Sequence, residues 1–360
     1  MLVKFCILIV FLPAVFFAQL RPDSNKRVRY LAIPVLFKTP ETGWAFGASG
    51  SANFKTTNPK DSATRTSVIT ALAIFSERQQ NVQGLDATIY FPKEKYILYL
   101  LSSHSYFPDN FWGIGQTTNN IDKERYVFEQ LAVNTHIKRK FSKHVFLGFI
   151  ADYQNIFKVQ YNPGSLMDLT PFLGKTNYNI TGFGLSASFD TRNSAFWPTK
   201  GLFLQSQFTT YNKEIASSYS LNKWMTEVRY FKTVFKKHVI AMQLFNYSTF
   251  GETPYRSMAS LGGAGNLRGF YQGRFRDNSM YSAIVEYRAP LFWRLSACIF
   301  GGVGDVYNQP NAINSNTLKH SFGGGLRLSI LEKEKLNLRI DYGYSDNYNR
   351  GFYITMGECF

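Results

Sequence analysis

Leu336-Asn337-Leu338-Arg339-Ile340-Asp341-Tyr342-Gly343-Tyr344 alternates without a break. In an extended strand Leu336, Leu338, Ile340, Tyr342 and Tyr344 share one face, and Asn337, Arg339, Asp341 and Gly343 share the other. A soluble sheet would bury the apolar face in a core. A membrane barrel turns that face to lipid and lines its lumen with the charged one. The pattern recurs outward from this stretch. In Phe322 to Ile330, Leu326, Leu328 and Ile330 oppose Gly323, Gly325, Arg327 and Ser329. In Tyr281 to Arg288, Tyr281, Ala283, Val285 and Tyr287 oppose Ser282, Glu286 and Arg288. An Arg or Glu on each inner face would be costly in a soluble core. A wetted lumen tolerates it, so these segments decide for a barrel.

Sixteen such segments are predicted, from Val28–Lys38 to Gly351–Phe360, and an even number suits a bacterial single-chain barrel. Pro34 restricts the first of them to an edge or a bulge. Short links at Pro92–Lys95, Phe141–Lys143 and Glu332–Lys335 alternate with long ones at Phe107–Glu124, Gln160–Asn177, Gly251–Met280 and Tyr307–His320. Barrels keep short turns in the periplasm and long loops outside. Asp190 to Gly201 is then the exception, a longer link on the periplasmic side. The expected fold is all-β: a transmembrane antiparallel β-barrel of about 16 strands with both termini in the periplasm.

The N-terminus reads as an export signal. Lys4 supplies positive charge, Phe5 to Phe17 is apolar, and Ala18-Gln19 is the cleavage junction. That run is short for a membrane helix, which needs about 20 apolar residues. Cys6 lies too early to be a lipoprotein acceptor. The expected division is a signal peptide over 1–18, a short periplasmic segment over 19–27, and one barrel domain over 28–360. Aromatic residues make up 17% of the chain, with 33 Phe and 22 Tyr, at a mean hydropathy of −0.19. Barrels place such aromatics in girdles at the two interfaces. The net charge of +16 on an exported chain points to lipid phosphates and the acidic sugars of lipopolysaccharide, not to nucleic acid. Cys298 and Cys359 fall on non-neighbouring strands and are expected to stay unpaired.

Three stretches, in order, resemble the barrel of the BamA/TamA superfamily of outer-membrane assembly proteins, also called the bacterial surface antigen family. Asn266-Leu267-Arg268-Gly269-Phe270, in the longest external loop, is similar to the family's hydrophobic-Arg-Gly-aromatic signature, and Glu286 to Leu291 to the strand and turn after it. Asp190-Thr191-Arg192, with Pro198 and Gly201 downstream, resembles the family's Asp-Thr-Arg turn. Phe300 to Asp305, Gly323 to Arg327 and the strand ending in Phe360 resemble its C-terminal set, and Tyr30 to Gly50 its barrel start. The resemblance implies that the Leu267-Arg268-Gly269-Phe270 loop folds back into the lumen. The family's Phe-x-Asp-x-Gly pattern would supply an Asp to meet the loop Arg, but Gly302 stands there. A lumenal guanidinium still needs an acceptor, so Asp341 or Glu286 is expected to substitute, or Asp305 if its strand bulges.

The resemblance also implies a function: insertion or translocation of client outer-membrane proteins, with no cofactor. Family members usually carry periplasmic POTRA domains ahead of the barrel. Only nine residues separate Ala18 from the first predicted strand, so a periplasmic or lipoprotein partner is expected in their place. The alternative is a passive pore, or a structural barrel anchoring a periplasmic or surface partner.

Enzyme chemistry finds no footing. His104, His136, His144, His238 and His320 show no metal-ligand spacing, and no metal site is expected. Ser103-His104 and His320-Ser321 are adjacent in sequence and so point to opposite faces, which makes neither a catalytic dyad. Asp190 and Arg192 read equally as a turn-capping pair or as a functional one. Phe352, Ile354, Met356 and Phe360 form the apolar row of the last strand, and the resemblance makes them the insertion signal read by assembly machinery. Glu358 interrupts that row and is expected at the periplasmic rim.

Overall fold

The computed structural model describes residues 28–58, 64–194, 197–331, 336–346 and 349–360. The signal-peptide expectation for 1–18, the segment 19–27 and the Glu332–Lys335 turn lie outside the described residues. The wall begins with β1 (Val28–Thr39), β2 (Gly43–Phe54), β3 (Ser67–Ser76), β4 (Asn81–Tyr90) and β5 (Tyr96–Phe111). It continues through β6 (Glu124–Lys140), β7 (Val145–Gln160), β8 (Tyr178–Asp190), β9 (Gly201–Tyr211), β10 (Leu221–Val234) and β11 (His238–Gly251). A long loop follows, carrying the short hairpin β12 (Ala259–Leu261) and β13 (Phe275–Asp277). The wall resumes as β14 (Ser279–Pro290), β15 (Leu295–Tyr307), β16 (Lys319–Leu331), β17 (Leu336–Ser345) and β18 (Asn349–Met356).

Sixteen of these strands close one antiparallel barrel, in which β11 pairs with β14 and β18 meets β1. Lipid offers no partner to a backbone N–H or C=O, and closure is how a sheet satisfies both of its edges there. The alternation that predicted the strands also sorts the side chains. Val285, Phe322, Leu326, Ile340 and Tyr344 are exposed on the outer surface, while Glu286, Arg288, Arg327, Arg339 and Asp341 are buried within.

The lumen is filled. Leu261, Leu267, Phe270 and Phe275 of the long loop pack against Phe231, Tyr247, Met280, Ile284 and Val306 of the wall. Tyr255 of the same loop and Met167 of the β7–β8 link pack a second cluster with Phe111, Tyr126, Phe128, Ile180 and Tyr211. The β12–β13 hairpin inside the loop was not visible in the sequence, because three-residue strands carry no periodicity to detect.

Three expectations are corrected. β5 runs to Phe111, beyond the predicted stop at Tyr106, although it contains Pro108. On its β4 side the pairing ends at Tyr106 opposite Asn81, so Pro108 lies on a free edge where a missing N–H costs no ladder bond. The 55–66 link joins 191–200 as a second longer connection at the short-turn end, and 40–42 is a short one at the other end. β18 stops at Met356, and Gly357 turns the chain inward at φ 78°. Phe360 therefore leaves the apolar row: it is buried in the lumen with its ring 6.2 Å from that of Phe231.

A closed barrel of this kind keeps its shape in detergent until boiled. Unboiled protein is expected to run faster on a denaturing gel than boiled protein. Identical mobility, with extraction as a soluble protein, would refute the membrane barrel.

Candidate functional site

The wall prepares a seat for the loop at one level of the ladder. Glu286 on β14 lies opposite Phe300 on β15, Phe300 opposite Gly323 on β16, Gly323 opposite Gly343 on β17, and Gly343 opposite Gly351 on β18. An acid, an aromatic ring and three residues without side chains thus follow one another around the inner wall. The Arg268-Gly269 backbone lies in the shallow trough the glycines leave. A Cβ on Gly343 would stand 2.8 Å from the carbonyl carbon and oxygen of Arg268, and Gly269, at φ 113°, would put its own Cβ 2.8 Å from the carbonyl carbon of Tyr344. Loop and wall approach this closely only because both positions are glycine. The Gly269 amide donates to the Tyr353 hydroxyl at 3.0 Å, and the Ser321 hydroxyl donates to the Arg268 carbonyl.

The Arg268 guanidinium lies 3.4 Å from the centre of the Phe300 ring. It donates to Asp341 at 2.6 Å and also to Glu286. These two acids occupy different strands, so the loop is tied to the wall in two directions. Both carry further arginines. Glu286 receives Arg288 at 2.8 Å, and Asp341 receives Arg327 at 2.5 Å. Glu358, from the inward-turned tail, lies 3.2 Å from Arg327 and 3.5 Å from Arg288. Six charges of alternating sign thereby form a closed ring: Arg268, Asp341, Arg327, Glu358, Arg288 and Glu286. Each of these side chains is at most 3% exposed.

Burying one such ion unpaired costs several kcal/mol, and mutual attraction offsets that only when every charge is well met. Here each member has two opposite neighbours. Removing Arg268 leaves Glu286 on Arg288, and Asp341 on Arg327 with Arg339 3.4 Å away. Removing an acid instead leaves two buried cations facing each other. The ring therefore allows the loop to be released without stranding a charge in the wall.

Asp305 takes no part. It accepts from Thr317 at 2.6 Å and Lys319 at 3.2 Å. Its strand does not bulge against β14, and five residues above Phe300 it sits roughly 17 Å higher along the wall. A Cβ at Gly302 would meet Leu267 at 2.9 Å, so the loop leucine covers the position where an Asp was expected. Asp190, Thr191, Arg192, Pro198 and Gly201 lie at the short-turn end, away from the loop. There Arg192 donates to Asp190 through its amide at 3.0 Å and its guanidinium at 2.8 and 2.9 Å, and Gly201 opens β9. Of the last-strand row, Phe352 is exposed, Met356 is buried and Phe360 points inward. Glu358, expected at the rim, is a ring member instead, because the Gly357 turn reverses the alternation that placed it outward.

The far end of the loop is held as well. The Gln272 amide donates to Glu41 at 2.6 Å, and the Tyr271 hydroxyl and Arg256 donate to Asp109 at 3.0 and 2.7 Å. Arg274 reaches Thr118 at 2.7 Å and Asn120 at 3.0 Å in the β5–β6 link. Burial raises the Glu41 carboxyl above its ordinary range, the Gln272 amide and Thr39 hydroxyl oppose this, and Asp109 adds to it. Among the described residues no cluster of His, Cys, Asp or Glu could hold a metal ion. His136 and Ser186 share a 2.6 Å hydrogen bond across β7, a pair the sequence does not reveal, but both are buried against the wall. Cys298 and Cys359 are free.

A sixteen-stranded barrel whose lumen is closed by an inward loop, with an Arg-Gly pair pinned to the last strands, defines a class of outer-membrane proteins. The Omp85 superfamily domain matches residues 41–360, and the chain belongs to that superfamily. BamA from Haemophilus ducreyi lacking POTRA domains 1–3 superposes with a TM-score of 0.63 at 13% identity, over 92% of this chain and 70% of that one. CdiB from Acinetobacter baumannii gives 0.59 at 11% identity, over 92% of this chain and 60% of that one. CdiB from Escherichia coli gives 0.60 at 9%, over 92% and 63%. The chain thus spans less than two thirds of either CdiB. These identities establish the fold. No curated protein sequence matches the chain.

Two outcomes follow from this geometry. Gly343→Ala should push the loop backbone off β17 at a cost of about 1–3 kcal/mol, read as a lower thermal midpoint of the folded band and new protease cleavage near Arg268. An unchanged midpoint with a protected loop would mean the loop does not rest there. Glu41, with its folded pKa raised, favours the docked loop fully below its unfolded pKa of about 4.3. That contribution is lost as pH rises through the raised value. Loop protection should therefore be stronger at acid than at neutral pH in wild type and level in Glu41→Gln; the same slope in both proteins would exclude Glu41.

Proposed function

We propose that this protein, exported by the signal peptide at 1–18, works in the outer membrane as a barrel of the BamA/TamA type that inserts or translocates client outer-membrane proteins. One observation carries the reading: the seam between β1 and β18. Val28 to Val35 pair with β2 on one side and, among the described residues, have no strand on the other, because the β1–β18 register begins only at Lys38 opposite Ile354. An unpaired edge is a template for another strand. Tyr30 and Leu31 on that edge are strongly exposed. Pro34 limits indiscriminate pairing, since it offers no donor. A client strand added there by β-augmentation would gain the hydrogen bonds that the wall lacks.

The lumen supports the same reading. The loop, the Arg268 contacts and the two apolar clusters obstruct free diffusion, which disfavours the passive pore. The ring couples the loop to the seam, since Glu358 follows β18 directly and shares its arginines with the acids that hold Arg268. Clients would arrive with help from a periplasmic or lipoprotein partner, the termini would face the periplasm, and no cofactor would take part. The superfamily's members are insertion or translocation proteins and not enzymes, which agrees with this assignment.

Planar-bilayer conductance of the wild type beside Arg268→Ala tests it. Low, flickering conductance is expected, rising several-fold in the variant while heat-modifiable mobility persists. Large, steady conductance indifferent to the substitution would favour the plain pore and end the assignment.

A further inference from the structure

The short-turn end carries a pattern that neither the ring nor the seam uses. At the β10–β11 turn Phe235 is 81% exposed, followed by exposed Lys236 and Lys237. At the neighbouring β14–β15 turn Phe292 and Trp293 are 71% and 82% exposed, with Arg294 beside them, 5.4 Å from the Trp293 ring. Phe141 stands exposed between Lys140 and Lys143 at the β6–β7 turn, and Phe91 precedes Lys93 and Lys95 at the β4–β5 turn. The one acid among these four turns, Glu94, is taken by Arg65 at 2.7 Å.

The backbone of three of these turns is unusual for its residues. Phe235 and Lys236 sit at φ 43° and 64°, Trp293 at 50°, and Lys93 and Glu94 at 54° and 57°. Tight hairpin turns normally fill such positions with Asn or Gly, because a Cβ is strained there. Bulky aromatic and basic residues held at a turn apex against that strain point to an interaction made by their side chains. The turns are spread around the rim from β4 to β15. A single docked protein would need one contiguous patch, whereas a bilayer meets the whole circumference. Aromatic rings seat at the headgroup level, and the lysines beside them complement phosphate.

We propose that the four turns form a collar that binds anionic glycerophospholipid headgroups of the periplasmic leaflet, with Trp293, Phe292 and Phe235 as wedges and Lys93, Lys143, Lys236 and Lys237 as phosphate partners. The choice of leaflet rests on the periplasmic orientation of the termini; the headgroup chemistry does not depend on it.

The test uses the full chain in phosphatidylcholine vesicles doped with spin-labelled phosphatidylglycerol or spin-labelled phosphatidylcholine. The motionally restricted fraction should show a preference for phosphatidylglycerol of roughly fivefold, the scale expected for a basic residue at a lipid surface. In Lys93→Gln/Lys143→Gln/Lys236→Gln/Lys237→Gln that preference should fall towards unity while heat-modifiable mobility is kept. Brominated phospholipid should quench a component of the emission that Trp293→Phe removes, and this decides alone if the fourfold variant fails to fold. Equal association of the two labels in wild type, a preference retained in the folded variant, or a Trp293 component untouched by bromine would overturn the collar. Vesicles of symmetric composition make these outcomes independent of insertase activity, so the assembly reading can fail without it.

Discussion

Arg268 can occupy the lumen only because two acids from different strands meet it at once. A guanidinium withdrawn from water without acceptors would cost more than the loop could recover from burying Leu267 and Phe270. Glu286 and Asp341 remove that cost, and they can both reach because Phe300 and the glycines between them leave the trough open. The loop's path, the filled lumen and the inward tail all depend on this contact.

The same contact ties remote parts of the chain together. β14 contributes Glu286 and Arg288, β16 contributes Arg327, β17 contributes Asp341, and the segment after β18 contributes Glu358. A buried ring of alternating charges is not a large source of stability, since desolvation offsets most of the attraction. Its effect is on specificity of arrangement: moving an acid leaves two buried arginines facing each other, whereas Arg268 can leave with its two acids still held by Arg288 and Arg327. The tail after β18, which carries Glu358, is thus bound to one arrangement, next to a seam where β1 from Val28 to Val35 has no second partner strand among the described residues.

Much of this was legible beforehand. Strict alternation in Leu336–Tyr344 and Tyr281–Arg288 set the inward faces, and from those faces Glu286 and Asp341 emerged as acceptors for Arg268. The substitution of Gly302 for an expected Asp was readable too, but not its compensation, since Leu267 fills that space from a loop far along the chain. Arg288, Arg327 and Arg339 were visibly inward. Which acid each would meet was hidden, because that depends on how strands are staggered around the barrel. Glu358 and Phe360 were misplaced because alternation was extended through Gly357, where a positive φ ends it.

By itself, then, the sequence determined the barrel class, the sixteen wall strands and their inward and outward faces. These follow from period-two patterning and local turn chemistry, both properties of neighbouring residues. Only the tertiary structure decided that Phe300, Gly323, Gly343 and Gly351 share one level, that six charges close into a ring, and that β1 keeps a free edge among the described residues. Each of those depends on inter-strand register, which couples residues tens to hundreds of positions apart and leaves no mark on any single segment.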